Sequence, residues 1–166
     1  MSTPGHKDES RVILMVEDDQ QDFDRLCHAL RDSGLKYELH HVRSGREALD
    51  YILGHGQYAD REIFPYPQLC LLDLSLEYMT GHDVLAALKR RTELPRIPII
   101  ALGNSNHAND RDSALRLGAC CYHTKVDNPE QLREMVQDIF AKCTPSDETV
   151  GGQYGTPKRS TEENPR

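Results

Sequence analysis

The chain has 166 residues, 20 Lys and Arg against 27 Asp and Glu, five Cys and no Trp. That length accommodates one domain with a proper core, and a formal charge of −7 excludes a nucleic-acid binder that works through a basic face. The longest aliphatic run, Val12 to Val16, falls far short of the ~20 residues that span a bilayer, and the polar start of the chain is no signal peptide.

These features predict a cytoplasmic protein with no membrane attachment and no direct DNA binding. Residues 1–10 are polar, and residues 144–166 carry only Val150 and Tyr154 as sizeable apolar groups. Both ends are expected to be disordered tails around a domain spanning 11–143. The five cysteines fit neither a disulfide framework nor a zinc spacing, and buried thiols in a reducing compartment account for them best. The eight histidines include no pair at i, i+4 on a plausible helix, which leaves a histidine metal site without support.

In chain order, Arg11–Val16 reads as a strand buried on both faces. Phe23, Leu26, Cys27 and Leu30 then follow helical spacing up to a glycine stop at Gly34. Lys36–Val42 reads as a second strand. Ser44 and Glu47 have capping-box spacing and open a short helix that ends at Gly54. The connection Gly54–Pro67 contains Tyr58, Ile63, Phe64 and Tyr66, too apolar for a free linker, and is expected to pack on the domain edge; a partner-binding loop is the alternative.

Gln68–Asp73 is a third strand, His82–Arg91 a helix with Val84, Leu85 and Leu88 on one face, and Ile97–Leu102 a fourth strand. A weaker helix ends at Leu117-Gly118, and Cys120–Thr124 is the fifth strand. Asn128-Pro129 begins a last helix with Leu132, Met135, Val136, Ile139 and Phe140 on one stripe.

Strands alternating with helices predict an α/β fold, a parallel sheet covered on both faces. Such sheets bind ligands beyond the carboxyl ends of their strands. There the first strand leads into Glu17-Asp18-Asp19, the third ends in Asp73, and the fifth leads into Lys125. Two carboxylates ~4 Å apart repel by about 4 kcal/mol at an effective dielectric of 20. A cluster of them therefore calls for a cation or for raised pKa values. Mg²⁺ suits one or two carboxylates plus a phosphate, and a lysine could neutralise a phosphoryl oxygen. Asp22 and Asp24 are explained by the dipole at the start of a helix. Asp73 is not, because no helix starts there.

These residues resemble a known family. Val16-Glu17-Asp18-Asp19, Leu71-Leu72-Asp73-Leu74 with Met79-Thr80-Gly81, Ile97-Pro98-Ile99-Ile100-Ala101-Leu102, Leu117-Gly118-Ala119 and Tyr122-His123-Thr124-Lys125 fall in the order and spacing of response-regulator receiver domains. The likeness covers about residues 11–142, and the connection Gly54–Pro67 and Lys125-Val126-Asp127-Asn128 are most similar to phytochrome-associated single-domain regulators. It implies a doubly wound, flavodoxin-like (βα)5 fold with strand order 2-1-3-4-5.

The resemblance also implies roles. Asp73 would accept a phosphoryl group, Asp18 would bind Mg²⁺ directly and Glu17 through water, and the Ser75 carbonyl would complete the metal site. Lys125 would contact the phosphoryl oxygens, and Tyr122 would be the switch aromatic. The implied partners are a histidine kinase, of phytochrome type by the nearest likeness, or a phosphotransfer protein, and a downstream protein; the sequence leaves a homodimer open.

Two positions depart from the family pattern. Gly103 replaces the usual Thr or Ser, whose hydroxyl bonds the phosphoryl group, with Asn104 and Ser105 as nearby substitutes. Val126 replaces the usual proline after the lysine. The leading expectation is a stand-alone phospho-accepting response regulator of a two-component or phosphorelay pathway, not a dedicated enzyme. The alternative is a pseudo-receiver, a constitutive interaction module that phosphorylation barely switches; Gly103 favours it, and the complete acid pocket with Lys125 opposes it. An aspartate-nucleophile phosphatase would need an acid at Ser75 and is set aside.

Overall fold

The aliphatic runs form five strands: β1 (Arg11–Val16), β2 (Tyr37–Val42), β3 (Leu69–Asp73), β4 (Ile99–Gly103) and β5 (Cys121–Thr124). They pair in parallel in the order β2-β1-β3-β4-β5, as expected. Five helices connect and follow them: α1 (Gln20–Asp32), α2 (Gly45–Leu53), α3 (Gly81–Lys89), α4 (Ala108–Arg116) and α5 (Pro129–Cys143). This computed structural model describes residues 11–104 and 108–143. The expected tails, 1–10 and 144–166, lie outside the described residues, as does Ser105.

Side chains alternate across the sheet with the period of two that strands impose. Leu14, Val16, Cys70, Leu72, Ile99 and Ala101 face the layer that contains α2 and α3, while Ile13, Met15, Leu69, Leu71, Ile100 and Leu102 face α1 and α5. The α5 stripe Leu132, Met135, Val136, Ile139 and Phe140 is buried throughout, and α1 contributes Leu26, Ala29 and Leu30 to the same core. Cys27 and Cys70 are buried as expected, whereas Cys120 is exposed and Cys121 half-buried; burial pushes the Cys70 thiol up to about 12. Among the described residues no helix is long and apolar enough to cross a membrane.

Local corrections have simple causes. β4 starts at Ile99, two residues later than expected, because Pro98 has no N–H for the ladder; its carbonyl still accepts from Cys70 N at 2.9 Å. The strand instead runs on to Gly103, opposite Thr124. At α2, Ser44 Oγ caps the Glu47 amide at 3.1 Å, but Glu47 Oε2 accepts from Arg43 N rather than from Ser44, so the box is half closed. The reciprocal box stands at α3, between Thr80 and Asp83. Asn128 Oδ1 caps α5 by accepting from Glu130 N and Gln131 N at 2.9 and 3.1 Å.

The apolar connection packs on the domain, as predicted. It holds a 3₁₀ turn over Gly56–Tyr58, and Tyr58 is buried against Tyr51 and Phe64. Arg61 closes it: Nη1 donates to the Tyr51 and Phe64 carbonyls at 2.9 and 3.2 Å, and Nη2 to the Ile52 carbonyl at 2.8 Å. One guanidinium thus ties the loop carbonyl of Phe64 to two carbonyls in the last turn of α2.

Candidate functional site

Of the strand-end residues singled out above, Glu17, Asp18, Asp73 and Lys125 meet at one rim, whereas Asp19 caps α1, its Oδ1 accepting from Asp22 N at 2.9 Å. Glu17 directly follows β1, its amide held by the Val42 carbonyl at 3.1 Å and its own carbonyl by His41 Nε2 at 2.8 Å. Asp73 ends β3 and is 2% exposed, a carboxylate that must find its partners inside the protein. Its Oδ1 accepts from Ser75 N at 2.9 Å, and its Oδ2 lies 3.0 Å from Lys125 Nζ. Lys125 is aimed by its own backbone, whose amide donates to the Gly103 carbonyl at 2.7 Å.

The Lys125 ammonium donates to Glu17 Oε2 at 2.7 Å and Asp22 Oδ2 at 2.9 Å and forms an ion pair with Asp73 Oδ2. Burial alone would pull its pKa down; the bonds to Glu17 and Asp22 and the charge of Asp73 outweigh that and hold it above the ordinary lysine range. Burial pushes Glu17 the other way for an acid, up to about 7, with the Asp73 charge adding to the rise and Lys125 opposing it.

One ligand oxygen from each of Glu17, Asp18 and Asp73 lies within 4.8 Å of the others, a spacing and an all-oxygen chemistry that fit a hard divalent cation. Asp18 is the most accessible of the three. Its Oδ2 accepts from Glu77 N at 3.3 Å, which ties the β3–α3 loop to the rim. Ser75 sits in that loop, and Asn104 Nδ2 reaches its hydroxyl at 3.2 Å.

Gly103 and Tyr122 are neighbours. A Cβ built on Gly103 would come within 2.7 Å of ring carbons Cε2 and Cζ of Tyr122 and nearer still to its hydroxyl. The ring occupies the volume that a side chain at 103 would need.

Sequence reasoning missed Asp22. The helix dipole explains a carboxylate in the first turn of α1, but it does not explain the ion pair with Lys125. The signal was its place one turn beyond the rim acids, with Arg25 three residues on to hold it at 3.0 Å.

A parallel (βα)5 sheet with a carboxylate cluster and a lysine at its carboxyl rim is the arrangement of a phosphoryl-signalling receiver. Residues 13–137 match the response regulator receiver domain family, and the chain belongs to that family. It is 38% identical over 129 residues to response regulator Rcp1 of Synechocystis, covering 78% of this chain and 86% of Rcp1. Among solved structures it resembles the phosphorylated cyanobacterial phytochrome response regulator RcpA, with a TM-score of 0.73, 35% identity, and coverage of 81% of this chain and 94% of RcpA. The Mn²⁺-bound form of Rcp1 gives a TM-score of 0.70 at 36% identity, covering 84% of this chain and 96% of that one. Phosphorylation on an aspartate is typical of the family, whose members pair with histidine kinases in two-component signalling.

Proposed function

We propose that the chain is a stand-alone response regulator that takes a phosphoryl group on Asp73 from a histidine kinase or a phosphotransfer protein, and that it signals through contact with a downstream protein. The observation that carries this reading is the placement of Asp73: a buried carboxylate at the rim, with one oxygen on the Ser75 amide and the other facing Lys125.

In the transfer, an Asp73 carboxylate oxygen attacks the phosphorus of the phosphohistidine. The P–O bond of an acyl phosphate forms as the P–N bond breaks, and the electron pair returns to the imidazole. The Ser75 amide fixes the orientation of the nucleophile, and Lys125 offers a charge-assisted bond to the transferred oxygens. Glu17, Asp18 and Asp73, with the Ser75 carbonyl, would hold Mg²⁺, which when bound neutralises charge on the phosphoryl oxygens. The chain's likeness to phytochrome response regulators supports a phytochrome-type kinase as the donor.

Incubation with acetyl phosphate and Mg²⁺ tests this reading. Intact mass should rise by one phosphoryl group in the wild type and stay unchanged in Asp73→Asn. Equal labelling of the two would remove Asp73 from the role.

A further inference from the structure

Of the three carboxylates that share the Lys125 ammonium, Glu17 and Asp73 also belong to the cation-sized cluster, and Asp22 does not. Asp22 is arranged for a task at the rim. Its amide is held by Asp19 Oδ1 at 2.9 Å at the start of α1. Its Oδ1 is clamped by Arg25 Nη1 at 3.0 Å, and the same nitrogen is bonded to Asp127, beyond β5, at 2.8 Å. That leaves Oδ2 facing Lys125. The carboxylate is therefore fixed from its backbone and from one oxygen before it meets the lysine.

A cation entering among Glu17, Asp18 and Asp73 meets an ammonium already bonded to two of its three ligands. Like charges repel, and each carboxylate oxygen taken by Lys125 is one the cation must share. We propose that Asp22 is a positioning residue of the phosphoacceptor pocket: a seat outside the cation cluster that holds Lys125 as Mg²⁺ binds and keeps the ammonium beside Asp73. The proposal rests on the pocket reading given above. Without Asp22 the ammonium has only the cation's own ligands left among these three partners, so it competes with Mg²⁺. Asp22 thus acts on metal affinity through Lys125, although it is no ligand.

A double-mutant cycle separates this action from the general pull of one more negative charge. Mg²⁺ affinity is measured by calorimetry on the full chain for wild type, Asp22→Asn, Lys125→Met and the double variant, each checked for folding by its melting curve. Asp22→Asn should weaken Mg²⁺ binding about three- to tenfold when Lys125 is present. In the Lys125→Met background the same change should alter affinity by less than about twofold, since the competing ammonium is gone. Lys125→Gln takes its place if the methionine variant does not fold, and Asp22→Glu should recover most of the affinity. An equal factor in both backgrounds, or none in either, would overturn the proposal alone. A wild type that binds no Mg²⁺ would overturn the pocket reading and this proposal with it.

Discussion

The Tyr122 ring stands where a side chain on Gly103 would stand, so the two positions cannot both be filled in this arrangement. Tyr122 pairs with Ala101 across β4 and β5 and packs on the core behind α2 and α3. Gly103 follows Ala101 by two residues and so shares its face of the sheet. A threonine at 103 would drive the ring out, because a Cβ that close to the tip of the Tyr122 side chain cannot be absorbed by a shift of a few tenths of an ångström. Gly103→Thr should therefore move the Tyr122 ring resonances even without phosphorylation. With beryllofluoride and Mg²⁺, the wild-type ring should shift little, because its seat is already taken up. A large wild-type shift at Tyr122 would show that the ring switches despite the glycine.

Asp18 should matter more than Glu17 for cation affinity. Both Glu17 oxygens are engaged, Oε1 by the Asp19 amide at 3.1 Å and Oε2 by Lys125 at 2.7 Å, whereas among the described residues Asp18 Oδ2 holds only the long 3.3 Å bond from Glu77 N. Mg²⁺ keeps several waters and takes few carboxylates directly, so the freer oxygen is the better ligand. Asp18→Asn should weaken Mg²⁺ binding by about tenfold or more and Glu17→Gln by less. Calorimetry gives the order, and the reverse order would exchange the two roles.

Glu17 also makes the stability of the cation-free protein fall with pH. Its pKa is about 7 in the folded protein against an ordinary 4.5, raised chiefly by burial. The folded state binds its proton more tightly than the unfolded chain does. Its contribution to stability is therefore fully present below about 4.5 and lost as pH rises to about 7. Chemical denaturation in EDTA at intervals across that window should show the decline, and Glu17→Gln should flatten it. A stability that rises equally in both proteins would show that Glu17 stays ionised throughout.

Arg61 should prove a structural residue of the connecting loop. Its three bonds to the Tyr51, Ile52 and Phe64 carbonyls join the loop to the end of α2. Arg61→Ala should cost about 2–3 kcal/mol, the scale of hydrogen bonds to a charged group. Arg61→Lys should recover only part of it, because an ammonium lacks the planar fork. A urea melt of each variant decides, and an unchanged midpoint in Arg61→Ala would show that water replaces the guanidinium at no cost.

Much of this architecture was legible because it rests on one-dimensional patterns. The runs Val12–Val16 and Leu69–Leu72 are apolar throughout, as a strand covered on both faces requires. The α5 stripe and the Asn128 cap read directly from spacing. Asp73 and Lys125 were legible as strand-end residues with no helix to account for them. Asp22 was hidden because a helix start already explains a carboxylate there, and its partner lies 103 positions away. The Gly103–Tyr122 relationship was half legible: the missing side chain is in the sequence, but what fills its space depends on the register of β4 against β5.

The central claim is chemical, that Asp73 carries an acyl phosphate, and borohydride tests it most directly. Reduction of the protein after treatment with acetyl phosphate and Mg²⁺ converts an aspartyl phosphate to homoserine, which peptide mass mapping places at a single position. Homoserine is expected at position 73 and at no other aspartate. Homoserine at Asp18, or a phosphorylated protein that borohydride leaves unchanged, would contradict it.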